Sequence, residues 1–134
     1  MIPKSITIIL IILSFNCNSQ TLKTIEKIES SYQICLDKGD NMKGCSVEYY
    51  KKSDSLLNVA YKKLKQKLSI EKQSSLKTEQ LEWLKKRDKY FQKVYSETKK
   101  EGDFIEGSND FDMIVIDKKA EFVFERVKLL IKRT

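Results

Sequence analysis

The sequence contains no histidine, one proline and four glycines. Histidine is the side chain most often used as a general base and as a metal ligand, so its absence argues against hydrolase and metalloenzyme chemistry. We therefore expect no catalytic residues, no metal and no cofactor. The scarcity of proline and glycine leaves few turn formers, and 34% of the residues are charged. This composition favours a single all-α domain.

The first sixteen residues have the pattern of a signal peptide. Lys4 gives a basic start, and Ile6–Phe15 forms an apolar run that is too short to span a bilayer. The sequence therefore predicts an exported protein with a signal peptide at 1–16, a short lipoprotein-type linker at 17–21 and a helical domain at 22–134. The formal net charge is +7, but an exported chain is not expected to meet nucleic acid.

Two cleavage sites fit this segment. Ser14-Phe15-Asn16-Cys17 resembles a bacterial lipoprotein box, in which Cys17 becomes the lipidated first residue. Cys17-Asn18-Ser19 instead offers small residues to an ordinary signal peptidase. We favour lipidation because the cysteine directly follows the apolar run. The first site predicts a membrane-anchored lipoprotein facing the periplasm or cell surface, and the second predicts a soluble periplasmic or secreted protein.

Cys35 and Cys45 remain as a pair in either case. Two thiols without histidine cannot complete a zinc site, and an exported protein meets an oxidising compartment, so we expect a disulfide. On the chain-entropy model this bridge stabilises the fold by about 2.8 kcal/mol. It would join the end of one helix to the start of the next.

Apolar residues recur at intervals of three and four, which predicts four amphipathic helices. We expect them over about 21–37, from an N-cap at Ser46 to about 68, from a cap at Ser69 to about 100, and after 112. The apolar stripes of the second and third helices predict that these two helices face each other. The predicted fold is a small all-α, four-helix bundle-like domain with a long central helical hairpin and one disulfide.

Polar side chains interrupt the two central stripes. A buried carboxylate and a buried guanidinium are costly unless they meet, so we expect Arg87 to pair with Asp54. Nearby amides would satisfy the remaining donors and acceptors. The expected structural cluster comprises Asp54, Asn58, Gln80, Trp83 and Arg87. A binding or catalytic constellation is the alternative interpretation of the same residues.

The order of these residues is distinctive. The chain reads Asp54-x-x-Leu57-Asn58-x-x-Tyr61-x-x-Leu64-x-x-x-Leu68, then Leu76-x-x-x-Gln80-x-x-Trp83-Leu84-x-x-Arg87-Asp88, with Gly107-Ser108 and Arg126-x-x-x-Leu130 further on. Together with the cysteine pair, this order resembles the lysozyme inhibitor LprI-like family of exported bacterial proteins. A second cysteine pair that this family often carries is absent. The resemblance implies a non-catalytic envelope protein that inhibits lysozyme by docking on it.

The stretch 101–112 contains five acids and no base. Because many lysozymes are basic, we hypothesise that this stretch docks on the enzyme. The expected contacts are acidic residues with two apolar anchors, namely Asp103, Phe104, Ile105, Glu106, Asp110 and Asp112. The alternative is that the acids only favour the N-terminus of the fourth helix and offset nearby lysines.

A second class of function also fits the charges. Lysines of the second and third helices would lie against anionic lipid or cell-wall polymer, with a lipidated Cys17 holding the body close to the membrane. In that case the protein would have no lysozyme target. The lysines concerned are Lys51, Lys52, Lys62, Lys63, Lys65, Lys67, Lys85, Lys86 and Lys89.

Overall fold

The computed structural model describes the backbone of residues 16–134 and the side chains of residues 22–134. It contains four helices, α1 (Asn16–Asp37), α2 (Met42–Gln66), α3 (Ile70–Glu101) and α4 (Asn109–Ile131). No strand occurs within residues 16–134. The predicted all-α, four-helix bundle is confirmed. The signal peptide predicted at 1–16 and the lipidation predicted at Cys17 fall outside the described residues, apart from the helical backbone that starts at Asn16.

The start of α2 differs from the prediction. The helix begins at Met42, where the Asn41 side chain accepts a hydrogen bond from the Gly44 backbone N–H at 3.1 Å. Ser46, the predicted N-cap, is fully buried inside the helix, so that prediction is wrong. Asn41 takes the position because its side chain can accept from an N–H of the first turn. Ser69 does precede α3, although its side chain makes no capping bond.

Helix α4 packs against all three other helices, and its contact with α2 is the largest in the bundle. The two run parallel, because Lys43 meets Asp112 near their N-termini and Lys67 Nζ donates to the Thr134 backbone oxygen near their C-termini. Helices α2 and α3 are the predicted long consecutive pair, but the prediction that their apolar stripes face each other is wrong, because α4 lies against both stripes. Nine residues of α4 are buried, against three of α3, which explains its central place.

Two groups of buried side chains form the core. The larger group lies where α2 and α4 meet and includes Leu57, Leu64, Phe124 and Val127. Burying such a side chain stabilises the fold by about 1.5–3 kcal/mol. The smaller group consists of Val94, Phe111 and Val115, near the connection between α3 and α4.

Helix α1 is held to α2 and α4 by Ile25, which lies in the larger core group, and by a disulfide and an aromatic contact near its C-terminus. Cys35 and Cys45 form the predicted disulfide with their Cα atoms 5.8 Å apart, so that prediction is confirmed. The Tyr32 ring stacks on Tyr49 with centroids 4.3 Å apart, and its hydroxyl donates to Asp117 Oδ2 at 2.6 Å. Burial and this hydrogen bond raise the pKa of Tyr32 to about 12.

Candidate functional site

The connection between α3 and α4, residues 102–108, closes one end of the bundle. Gly102 ends α3 with φ 72°, and Gly107 has φ 81°; glycine adopts these left-handed conformations without steric cost. Ser108 then caps α4, because its Oγ accepts a hydrogen bond from the Phe111 backbone N–H at 3.2 Å. The residue types at both ends of the loop therefore suit its backbone.

The loop rests on a packed base. Phe111 is 1% exposed and lies with Val94 and Val115 in the smaller core group. The Tyr95 ring contacts Phe111 edge-on, with ring centroids 5.2 Å apart. An aromatic pair in this geometry adds about 0.5–1.5 kcal/mol beyond its burial. The base therefore holds the loop in one position relative to α3 and α4.

Glu106 ties the loop to α3. Its carboxylate lies 2.7 Å from Lys99 Nζ and accepts a hydrogen bond from the Tyr95 hydroxyl. These contacts lower the pKa of Glu106, with the Lys99 hydrogen bond as the largest cause. The same carboxylate raises the pKa of Lys99 and of Tyr95. Glu106 is thus bound within the protein.

Asp112 makes the second connection at this end. Its Oδ2 lies 2.5 Å from Lys43 Nζ, which joins the first turn of α4 to the first turn of α2. The side chains are 32% and 38% exposed, so water screens the pair and its contribution to stability is modest. The contact places the α1–α2 turn beside the α3–α4 loop.

The remaining predicted contact residues face solvent. Asp103 and Asp110 are exposed, and neither carboxylate has a side-chain partner within residues 22–134. Phe104 is 39% exposed and Ile105 is 82% exposed. We call these four residues, Asp103, Phe104, Ile105 and Asp110, the loop face. The structure therefore divides the six predicted residues into four that form this face and two, Glu106 and Asp112, that brace it.

Arg87 does not form the predicted pair with Asp54. Its Nε and Nη2 donate to Asp88 Oδ1 at 3.0 and 2.8 Å, at the surface of α3. Asn58 is exposed and donates to the Asp54 backbone oxygen at 3.2 Å. The prediction of a buried Asp54–Arg87 pair is wrong, because Arg87 has an adjacent partner in Asp88 that requires little desolvation.

The buried guanidinium belongs instead to Arg126 of α4, whose side chain is 7% exposed. Its Nε and Nη2 donate to Gln80 Oε1 at 3.1 and 3.0 Å, and its Nη1 donates to Glu79 at 2.8 Å. The guanidinium also lies 5.8 Å from the Trp83 ring centre. Gln80 and Trp83 therefore belong to a polar cluster, as predicted, but its cation comes from another helix.

Glu79 accepts from a second cation, Arg133, at 2.8 Å. Burial acts to raise the pKa of Glu79, but the hydrogen bonds from Arg126 and Arg133 outweigh it and the pKa is lowered. Because α3 supplies the acceptors and α4 the donors, the cluster fixes the position of α4 along α3. It is a structural element of the bundle and lies at the opposite end from the loop.

The family model of the lysozyme inhibitor LprI matches residues 35–130. The chain belongs to the LprI family. The match extends from the first disulfide cysteine, through α2, α3 and the loop, to Leu130, so the resemblance read from the sequence is confirmed. The LprI family is one of exported proteins, and its description as lysozyme inhibitors implies a non-catalytic protein. No curated protein and no solved structure matches the chain.

Two further properties bear on what this LprI family member can do. Within residues 16–134, no helix combines the length and the apolarity needed to cross a membrane. A pocket beside the disulfide has a volume of about 110 Å³ and is lined by Ile28, Tyr32, Cys35, Cys45 and Lys52 among others. Sites for small-molecule ligands usually measure about 300–1,000 Å³, so this pocket is too small for a cofactor.

Metal binding can be judged for the same part of the chain. Across the side chains of residues 22–134, no group of three or more His, Cys, Asp or Glu is placed to hold a metal ion.

Sequence reasoning named Arg126 only as part of the family motif, without its buried role, and missed Asp117, although both carried a signal. Arg126 lies three residues after Val123 and four before Leu130, on the apolar stripe of α4. Asp117 lies three residues before Ala120 and seven before Phe124, on the same stripe. A charged residue at such a position must find a partner on a neighbouring helix. The LprI family model spans both positions.

Proposed function

We propose that this protein is a lysozyme inhibitor of the cell envelope that acts by docking on the enzyme, without chemistry of its own. The observation that carries the proposal is the family match over residues 35–130. The loop face supports it, because an exposed isoleucine beside unpaired carboxylates suits a basic protein partner. Apolar anchors supply most of the binding energy at an interface, while charges at the rim mainly accelerate association.

The six residues of the proposed contact have two roles. Ile105 and Phe104 bury apolar surface against the enzyme, while Asp103 and Asp110 attract its basic surface. Glu106 and Asp112 hold the loop through Lys99 and Lys43. A loop held before binding loses less conformational entropy when it docks, which favours affinity.

The location of the protein is part of the proposal. The signal peptide at 1–16 would export the chain, and lipidation of Cys17 would anchor it to a membrane facing the periplasm or cell surface. If the ordinary signal peptidase acts instead, the protein would be soluble in the same compartment. Mass spectrometry of the mature N-terminus distinguishes these outcomes, because a diacyl modification appears only on Cys17.

The test measures lysis of a bacterial cell-wall suspension by several lysozymes, with and without the protein. Ile105→Ser should weaken inhibition about 30-fold, because burial of this side chain contributes about 2 kcal/mol. Asp103→Asn combined with Asp110→Asn should slow association and reduce the effect of salt on it. A matched control, Glu26→Gln with Glu82→Gln, removes the same charge from exposed acids outside the loop and should leave inhibition unchanged.

Three results would contradict the proposal. Full inhibition by Ile105→Ser and by the double asparagine variant would exclude the loop face as the contact. Equal losses in the loop and control variants would show that only total charge matters. Absence of inhibition by the unmodified protein, with salt-sensitive binding to envelope material, would favour the alternative function, in which anionic lipid or cell-wall polymer is the partner and lysozyme is not.

A further inference from the structure

The positive charge of the protein is concentrated at the end of the bundle opposite the loop. The C-terminus of α2, the first turn of α3 and the C-terminus of α4 meet there, as the 3.0 Å hydrogen bond from Lys67 Nζ to the Thr134 backbone oxygen shows. We call residues 62–72 and 128–134 the basic end. Their side chains include eight Lys or Arg and one acid, Glu71. Two further acids, Glu79 and Glu125, contact Arg133 and Lys128 of this end, and with them the formal charge is +5.

The loop end has the opposite sign. Residues 37–43 and 99–112 contain four lysines and seven acids, a formal charge of −3. The lysines and acids are therefore sorted along the axis of the bundle. A protein that needed charge only for solubility would gain nothing from such sorting, because mixed charges serve that purpose equally well.

Several cations at the basic end are available to a partner. Arg133 pairs with Glu79, and Lys128 pairs with Glu125. Lys62, Lys72 and Lys132 are exposed, and none of these three ammonium groups has a side-chain partner in the described part of the chain. They can therefore meet external anions without breaking an internal contact.

The basic end also exposes apolar side chains. Ile70, the first residue of α3, is 86% exposed, and Leu129 on α4 is 54% exposed. Ile70 stands in the sequence between Lys67 and Lys72. An apolar side chain surrounded by lysines is typical of segments that bind the interface of an anionic bilayer, where the chain enters the headgroup layer and the lysines meet the phosphates.

We propose that the basic end of the bundle binds an anionic phospholipid bilayer, with Ile70 inserted at headgroup level and the loop face directed away from the membrane. The course of α1 supports this orientation. Because Cys35 is bonded to Cys45 and α1 packs antiparallel to α2, the N-terminal half of α1 runs toward the basic end. The chain therefore enters the body from the proposed membrane side. A cell-wall polymer would need the cations but not Ile70.

The test compares two triple variants of the full chain on sedimented vesicles of phosphatidylcholine, with and without phosphatidylglycerol. Lys62→Gln, Lys72→Gln and Lys132→Gln remove three cations from the basic end. Lys85→Gln, Lys86→Gln and Lys89→Gln remove three exposed cations from the middle of α3. Each lysine near an anionic surface changes partition about fivefold, so the first variant should bind about 100-fold more weakly and the second should change less than about threefold. Equal losses in the two variants would overturn the proposal, whereas unchanged binding of both variants is decided by hydrogen exchange.

A second measurement covers the case in which the N-terminal apolar residues hold every variant on the vesicles. Backbone hydrogen exchange over 66–72 should slow on vesicles that contain phosphatidylglycerol, whereas exchange over 102–108 should not. Ile70→Ser should reduce this protection. Protection over the loop instead, or binding to purified cell-wall sacculi with none to vesicles, would refute the lipid assignment. Lysozyme inhibition in solution is independent of this surface, so the basic-end variants should still inhibit, and failure of either proposal can be recognised separately.

Discussion

Replacement of Arg126 by methionine should be the most destabilising single substitution that removes a positive charge from this bundle. Methionine fills a similar volume, so the substitution removes the donors without leaving a large cavity. Three groups lose contacts: Gln80 loses two donors, Glu79 loses one, and Trp83 loses the cation near its ring.

The expected loss is about 2–3 kcal/mol. Each hydrogen bond to a neutral acceptor contributes about 1 kcal/mol, and a bond to a carboxylate contributes somewhat more. The three bonds together come to a little over about 3 kcal/mol. Part of the Glu79 contribution is recovered because that side chain is 41% exposed and keeps Arg133, so the loss falls to about 2–3 kcal/mol, at or below the lower limit of the roughly 3–5 kcal/mol for breaking a fully buried ion pair. In a domain of this size, such a loss lowers the Tm by about 8–12 °C.

Arg87→Met is the matched control. It removes the same charge from α3, but its partner Asp88 is 62% exposed and remains solvated, so the loss should be below about 1 kcal/mol. Urea unfolding followed by far-UV circular dichroism, with Arg126→Met and Arg87→Met side by side, measures both. If Arg87→Met costs as much as Arg126→Met or more, the assignment of the buried cation to α4 is incorrect.

Three further predictions concern the disulfide and two titrating groups. Reduction of Cys35–Cys45 should lower the free energy of unfolding by about 2–3 kcal/mol in urea titrations, and a Cys35→Ser, Cys45→Ser variant should no longer respond to reductant; equal stability of both forms would contradict this. The pKa of Glu79 is lowered in the folded state, so its contribution is present above its unfolded pKa of about 4.3 and is lost as the pH falls through the folded pKa. The stability difference between the protein and Glu79→Gln should therefore shrink between pH 7 and pH 3, and a constant difference would refute it. Because the pKa of Tyr32 is raised to about 12, its contribution is present below about pH 10 and is lost as the pH rises toward 12; Tyr32→Phe should cost about 1–3 kcal/mol at pH 7 in thermal unfolding, since it deprives a charged acceptor of its donor.

The helices and the disulfide could be predicted from the sequence because their determinants are local. Apolar residues at intervals of three and four identify a helix whichever neighbouring element the helix packs against. The predicted C-terminal ends of α1 and α3 agree with the structure to within a few residues. Two cysteines at the end of one helix and the start of the next have few possible disulfide partners other than each other. The N-cap of α2 was the exception, since Ser46 and Asn41 are both good capping residues and only tertiary burial distinguishes them.

The pairing of charges between helices could not be predicted, because it depends on which helix lies in the centre. Spacing along α2 and α3 is equally compatible with two stripes that face each other and with two that face a third helix. The structure places α4 against both, and Arg126 of α4 then supplies the buried cation. Arg87, on the same helix as Gln80, turns to Asp88 instead. The sequence predicted which residues the loop contains. It could not predict that Glu106 and Asp112 pair with lysines while Asp103 and Asp110 stay exposed.

The separation of charge also resolves an apparent objection to docking on a basic enzyme. A chain of net charge +7 would be repelled if that charge were spread evenly. Helix α4 has 23 residues, so the two ends of the bundle lie about 34 Å apart at a rise of about 1.5 Å per residue. The Debye length at physiological ionic strength is about 8 Å. A protein that approaches the loop face therefore meets the field of the nearby acids, while the cations of the basic end lie about four Debye lengths away.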